Sequence, residues 1–120
     1  MAKIIVIEDD LDLRQLLADE LEDAGHDIVE AGDGIEGLAR IKAECPDVII
    51  SDIGMPRMDG YQLWQRLQGC PQFRDTPFLF LSALAFQQAI DNGLSIGAAH
   101  YLTKPVDYDV LLPWIAACAA

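Results

Sequence analysis

Basic residues are scarce in this chain. Its 120 residues carry 8 Lys and Arg against 20 Asp and Glu, a formal charge of −12. A polyanion such as DNA would be repelled, so direct nucleic-acid binding by this segment is not expected. Cysteine is also thin: Cys45, Cys70 and Cys118 are odd in number and form no C-x-x-C pair. They read as free thiols in a reducing compartment. No apolar run approaches a membrane span or the core of a signal peptide, so a soluble, cytoplasmic protein is expected. Repeats, low-complexity tracts and Gly/Ser linkers are missing too, and residues 1–120 are expected to form one domain. Hydrophobic residues make up 52% and charged residues 23% of the chain, a composition that buries a core.

What is present is an alternation of strand-like and helix-like segments. Ile4-Ile5-Val6-Ile7, Ile28-Val29, Val48-Ile49-Ile50, Phe78-Leu79-Phe80-Leu81 and Ala98 to Leu102 read as strands. Between the first two, Leu13, Leu16, Leu17, Leu21 and Ala24 recur at helical spacing, and Gly25 is placed to end that helix with positive φ. Ile35, Leu38 and Ile41 mark a second helix, loosened by Gly34 and Gly37. Leu63 and Leu67 give the core side of a third, and Ala89, Ile90 and Leu94 suggest a fourth. Asp107 can cap the last helix. Pro113 falls about two turns into it, which favours a later start near that proline. Short loops between such alternations argue for a doubly wound parallel α/β sheet.

Four polar groups directly follow the strand-like runs: Glu8-Asp9-Asp10, Asp52, Ser82 and Lys104-Pro105. In an open parallel sheet the strands end on one edge, where ligands bind near the reversal of strand order. Taken singly, each has a plainer explanation: acids in a first helical turn, a loop cap, a loop hydroxyl, an exposed lysine. Taken jointly, they converge in one crevice. Two carboxylates ~5 Å apart repel by roughly 3 kcal/mol at an effective dielectric near 20. Such a site needs a cation, a shared proton or open solvent, and all-oxygen ligands suit Mg²⁺. A phosphoryl group on Asp52 would add about two negative charges. A divalent ion, an ammonium and a hydroxyl are the parts that would stabilise it. A cis bond before Pro105 would aim Lys104 inward.

The run Ile4 to Asp10, the stretch Ser51-Asp52-Ile53-Gly54-Met55-Pro56-Arg57-Met58-Asp59-Gly60, and Tyr101-Leu102-Thr103-Lys104-Pro105 closely resemble the receiver domain of two-component response regulators, the CheY-like superfamily. The resemblance covers essentially the whole chain. It implies a five-stranded, flavodoxin-like sheet of order 2-1-3-4-5 with helices on both faces. It also implies that Asp52 takes a phosphoryl group from a histidine kinase or a histidine phosphotransfer protein. Asp9 and Asp52 would ligate Mg²⁺ with the Gly54 carbonyl, and Glu8 would help hold it through water. Ser82 and Lys104 would each bond a phosphoryl oxygen, and Tyr101 would be the switch aromatic. Glu8 stands where Asp is frequent in the family, and Ser82 where Thr is usual. Gly54 has no side chain and Leu84 is apolar, so nothing there positions a hydrolytic water.

Two other functions use the same residues. A metal-dependent phosphohydrolase would need a second acid two residues after Asp52, where Gly54 stands, and a substrate cap that 120 residues do not hold. A receiver that docks without phosphorylation would not need the full acid, Ser and Lys-Pro set. The expected activity is therefore a switch rather than turnover of an external substrate, acting on a downstream protein or on an output domain beyond this segment. His26 and His100 have no second ligand at metal spacing, and Trp64 and Trp114 read as packing residues.

Overall fold

A computed structural model describes residues 2–82 and 100–119. Five strands, β1 (Lys3–Ile7), β2 (Asp27–Ala31), β3 (Val48–Asp52), β4 (Phe78–Ser82) and β5 (His100–Thr103), form one sheet of order β2-β1-β3-β4-β5. Every pairing is parallel. The expected fold, a flavodoxin-like doubly wound sheet, is therefore the observed one.

Alternation along the strands splits the core in two, because successive side chains leave a strand on opposite faces. Ile5, Ile7, Ile49, Phe78 and Phe80 pack with Ile41 of α2 (Gly34–Glu44) and with Leu63 and Leu67 of α3 (Gly60–Gln68). Ile4, Val6, Val48, Ile50, Leu79 and Leu81 pack with Leu17 and Leu21 of α1 (Leu11–Asp23) and with Leu111 and Ile115 of the Tyr108–Ala119 helix. β3 and β4 are buried along their full length, as strands covered on both faces must be.

Among the described residues, each helix begins with an aspartate cap. Asp10 accepts from the Asp12 and Leu13 amides, Asp33 from Glu36, Asp59 from Gln62 in a reciprocal capping box, and Asp107 from Asp109. In a parallel sheet those starts share the rim where the strands end. Stops follow equally local rules: Gly25 leaves α1 at φ +95°, and Cys45 ends α2 in the left-handed region at φ 48°. The exposed Cys45 and Asp47 lie at the other rim, where the Asp47 amide donates to the Lys3 carbonyl at the start of β1.

Several expectations are corrected. Leu16 is 51% exposed, so the apolar face of α1 is narrower than its leucines suggest. The last helix starts at Tyr108 and carries Pro113 inside it. Burial of Leu111 and Ile115 offsets the hydrogen bond that a proline cannot donate. Gly34 and Gly37 do more than loosen α2: they let it dock closely. A Cβ on Gly37 would sit 2.6 Å from Ile7 Cδ1, and one on Gly34 would sit 2.5 Å from the Met58 carbonyl oxygen. The second collision is with backbone, which cannot rotate away. Gly34→Ala should cost about 2 kcal/mol or more, read as a lower urea midpoint at unchanged slope. An unchanged midpoint would mean that α2 is not held that closely.

β5 begins at His100; the expected strand residues Ala98 and Ala99 lie outside the described residues, as does the helix expected around Ala89, Ile90 and Leu94. No helix among the described residues is long and apolar enough to cross a membrane.

Candidate functional site

Register decides which polar residues meet. Ile7 is level with Ser51, Asp52 with Leu81, and Ser82 with Thr103. The chain positions just beyond β1, β3, β4 and β5 therefore crowd one rim, at the point where the order β2-β1-β3 reverses. Ligand oxygens of Glu8, Asp9 and Asp52 lie within 4.8 Å of one another. Lys104 places its Nζ 3.0 Å from Glu8 Oε2 and 3.2 Å from Asp52 Oδ2.

Each member is held by its backbone surroundings. Asp52 is buried; its Oδ1 accepts from the Ile53 amide at 2.8 Å, and the Ser51 hydroxyl donates to its carbonyl. Gly60 at the start of α3 allows the returning loop to close on β3, since a Cβ there would lie 2.5 Å from the Asp52 carbonyl oxygen. The Ser82 carbonyl accepts from the Lys104 amide at 2.7 Å, which anchors the lysine backbone to the end of β4. The Lys104–Pro105 bond is cis. Ser82 is buried, Asp9 and Gly54 are exposed, and Tyr101 lies inside, in the cluster that holds Phe80.

The electrostatics are those of a charge cluster short of cations. Glu8 is fully buried, and burial pushes its carboxyl from the ordinary 4.5 up to about 7, against the pull of Lys104. Its Oε1 accepts from the Asp10 amide, while Oε2 has the Lys104 charge beside it but no well-directed hydrogen bond. Burial opposes the Lys104 charge, yet Glu8 and Asp52 outweigh it and hold the ammonium above its ordinary value. One ammonium against three carboxylates leaves excess negative charge. The donor set, three hard carboxylate groups with an under-bonded buried oxygen, fits a divalent cation such as Mg²⁺.

Sequence reasoning placed these rim residues but missed their supports. Arg57, at φ 68°, reaches across to pair with Asp33, whose carboxyl is held below its usual range by that guanidinium and the Glu36 amide. This ties the loop after β3 to the start of α2. The Asp33-x-x-Glu36 spacing signals the cap, but nothing in the sequence signals Arg57 as its partner. Arg14 was also missed. His26 has a structural role: its Nδ1 accepts from the Ala2 amide. His100 stacks on Trp114 with centroids 5.7 Å apart.

A parallel sheet of this order with an acidic crevice at its switch point is the architecture of CheY-like receivers. The sequence model of the response regulator receiver domain matches residues 4–116, and the chain belongs to that family. Among curated relatives, the DNA-binding dual master transcriptional regulator RpaA of Synechocystis is 38% identical over 117 residues, covering 98% of this chain and 48% of that protein. Protein PilG of Pseudomonas aeruginosa is 37% identical, over 96% of this chain and 85% of its own. The chain thus spans about half of one relative and most of another. The crystallised chemotaxis protein CheY4 of Vibrio cholerae superposes with a TM-score of 0.89 at 33% identity, over 98% of each chain.

Proposed function

We propose that this receiver is switched by phosphorylation of Asp52. Membership of the family makes the chain a signalling switch; the residue, the metal and the donor are our reading. The observation that carries it is Lys104 Nζ seated between Glu8 and Asp52 in a cluster of three carboxylates. An Asp52 carboxylate oxygen would attack phosphorus of a phosphohistidine on a histidine kinase or a histidine phosphotransfer protein. The P–N bond breaks, its electron pair stays on the imidazole, and an acyl phosphate forms. Asp9, Asp52 and the Gly54 carbonyl would hold Mg²⁺, with Glu8 acting through water. The ion, when bound, would neutralise phosphoryl oxygens that otherwise face the acids.

The remaining steps belong to the chain. Lys104 exchanges its Asp52 contact for a phosphoryl oxygen, and the Ser82 hydroxyl donates to another. Drawing Ser82 toward the phosphoryl group would favour one position of Tyr101 and reshape the neighbouring surface, a two-state element biased by new charge. Output would pass to a separate protein or to a further domain on the same polypeptide; relatives with roughly this length and twice this length both occur. A cytoplasmic location suits this chemistry. Residues 1–120 would act as one domain.

Single-turnover transfer from a panel of labelled histidine kinases tests the reading: one kinase should label the chain far faster than the rest. Turnover of a phosphomonoester would favour the phosphohydrolase instead. Gly54 offers no side chain to aim a water, and Leu84, which lies outside the described residues, is apolar. The acyl phosphate should accordingly persist for minutes rather than seconds in Mg²⁺ buffer, followed as loss of label. Decay within seconds would show that another group positions water.

A further inference from the structure

Asp9 is the member of the acidic cluster whose direction is least explained. It is exposed, and among the described residues its carboxylate has no hydrogen bond. Its aim must then come from the backbone that carries it. The peptide plane leading into Asp9 carries the Glu8 carbonyl, and that oxygen accepts from Arg14 Nη1 at 3.0 Å. On the other side, the Glu8 amide donates to the Ala31 carbonyl at 3.0 Å. Glu8 is thus pinned at both backbone polar groups, once by β2 and once by a side chain.

That side chain is itself well fixed. Arg14 lies one turn into α1, where its amide donates to Asp10, and its side chain is only 19% exposed. Its Nε donates to Glu30 Oε1 at 3.2 Å, so the planar fork bridges β2 to the end of β1. Gly32 leaves it just enough room: a Cβ there would stand 3.1 Å from Nη1. Among the described residues the guanidinium makes no hydrogen bond or ion pair with the carboxylates of the crevice; it acts through the peptide group between Glu8 and Asp9.

We propose that Arg14 is a positioning residue for the metal-binding carboxylates, aiming Asp9 through the Glu8 carbonyl. The inference rests on the Mg²⁺ reading above. Partners behind metal ligands are commonly worth about 10- to 100-fold in affinity, and Arg14→Gln should raise the Mg²⁺ dissociation constant about tenfold. The measurement is an Mg²⁺ titration followed by amide chemical shifts, paired with the metal dependence of phosphorylation by acetyl phosphate. The Mg²⁺ concentration giving half-maximal rate should rise by the same factor while the plateau rate holds. A merely structural arginine would lower the thermal midpoint without moving the metal constant. Arg14→Lys, with one donor group in place of a fork, should fall between the two.

Gly32→Ala keeps the arginine and nudges the fork; it should weaken Mg²⁺ about threefold, and it decides the matter should Arg14→Gln fail to fold. A wild-type chain that binds Mg²⁺ beside Arg14→Gln, or Gly32→Ala in its stead, with the same constant overturns this proposal alone. A wild-type chain with no saturable Mg²⁺ response overturns the metal reading, and this proposal with it.

Discussion

Asp52→Asn protein, incubated with acetyl phosphate and Mg²⁺, should keep its unmodified mass while the wild-type chain gains one phosphoryl group. A carboxamide is a poor nucleophile at phosphorus, so loss of labelling should be complete within detection. The substitution should leave the fold intact. The Asn carbonyl can still accept from the Ile53 amide, as Asp52 Oδ1 does at 2.8 Å. Its NH₂ would face Lys104 in place of an oxygen 3.2 Å away, a donor against a donor. Removing one of three clustered negative charges offsets that loss. Continued labelling of the Asn variant would move the acceptor to another acid, Asp9 being the exposed candidate, and would overturn the assignment.

Glu8→Gln should make the metal-free protein more stable at neutral pH and above, by about 1–2 kcal/mol. The folded carboxyl titrates near 7 rather than 4.5. Between those values the native state binds a proton that the unfolded chain has lost, so native stability falls as pH rises through this window. Above pH 7 the folded chain carries the whole penalty, up to about 3 kcal/mol for a shift of that size. Gln is neutral at every pH and escapes it, though its NH₂ facing Lys104 offsets part of the gain. Thermal midpoints between pH 5 and 8 should therefore fall for wild type and stay flatter for the variant. The same variant should lose most of the stabilisation that Mg²⁺ gives wild type, which would reach about 2.7 kcal/mol at a hundredfold excess over the dissociation constant. A Gln variant less stable than wild type at pH 8 would show that the Lys104 pair outweighs the burial of Glu8.

Much of the rim was legible because it depends on position along the chain. A strand ends where its apolar run ends, and Glu8, Asp52 and Ser82 each follow such a run by one or two residues. Caps are local too, so Asp107 could be assigned its helix from sequence alone. The supports were not legible. Arg14 to the Glu8 carbonyl and Arg57 to Asp33 join positions 6 and 24 residues apart through long side chains, whose partners no local pattern names. Gly34 and Gly37 looked like weak helix formers because propensity registers only what a glycine costs. Their value lies in how near β1 and the Met58 loop can come. Leu16 and Pro113 misled for the converse reason: periodicity and propensity describe a helix alone, whereas the packed partner determines which stripe is covered.

The parallel sheet also separates reactive chemistry from its opposite end. Cys45 is the exposed thiol of the three, and it closes α2 beside the rim where the strands begin. A fluorophore coupled there would sit a full strand length from Asp52, about 17 Å for five residues. Single-molecule or anisotropy work on this receiver could thus use its native cysteine as the handle, with no engineered attachment point near the crevice.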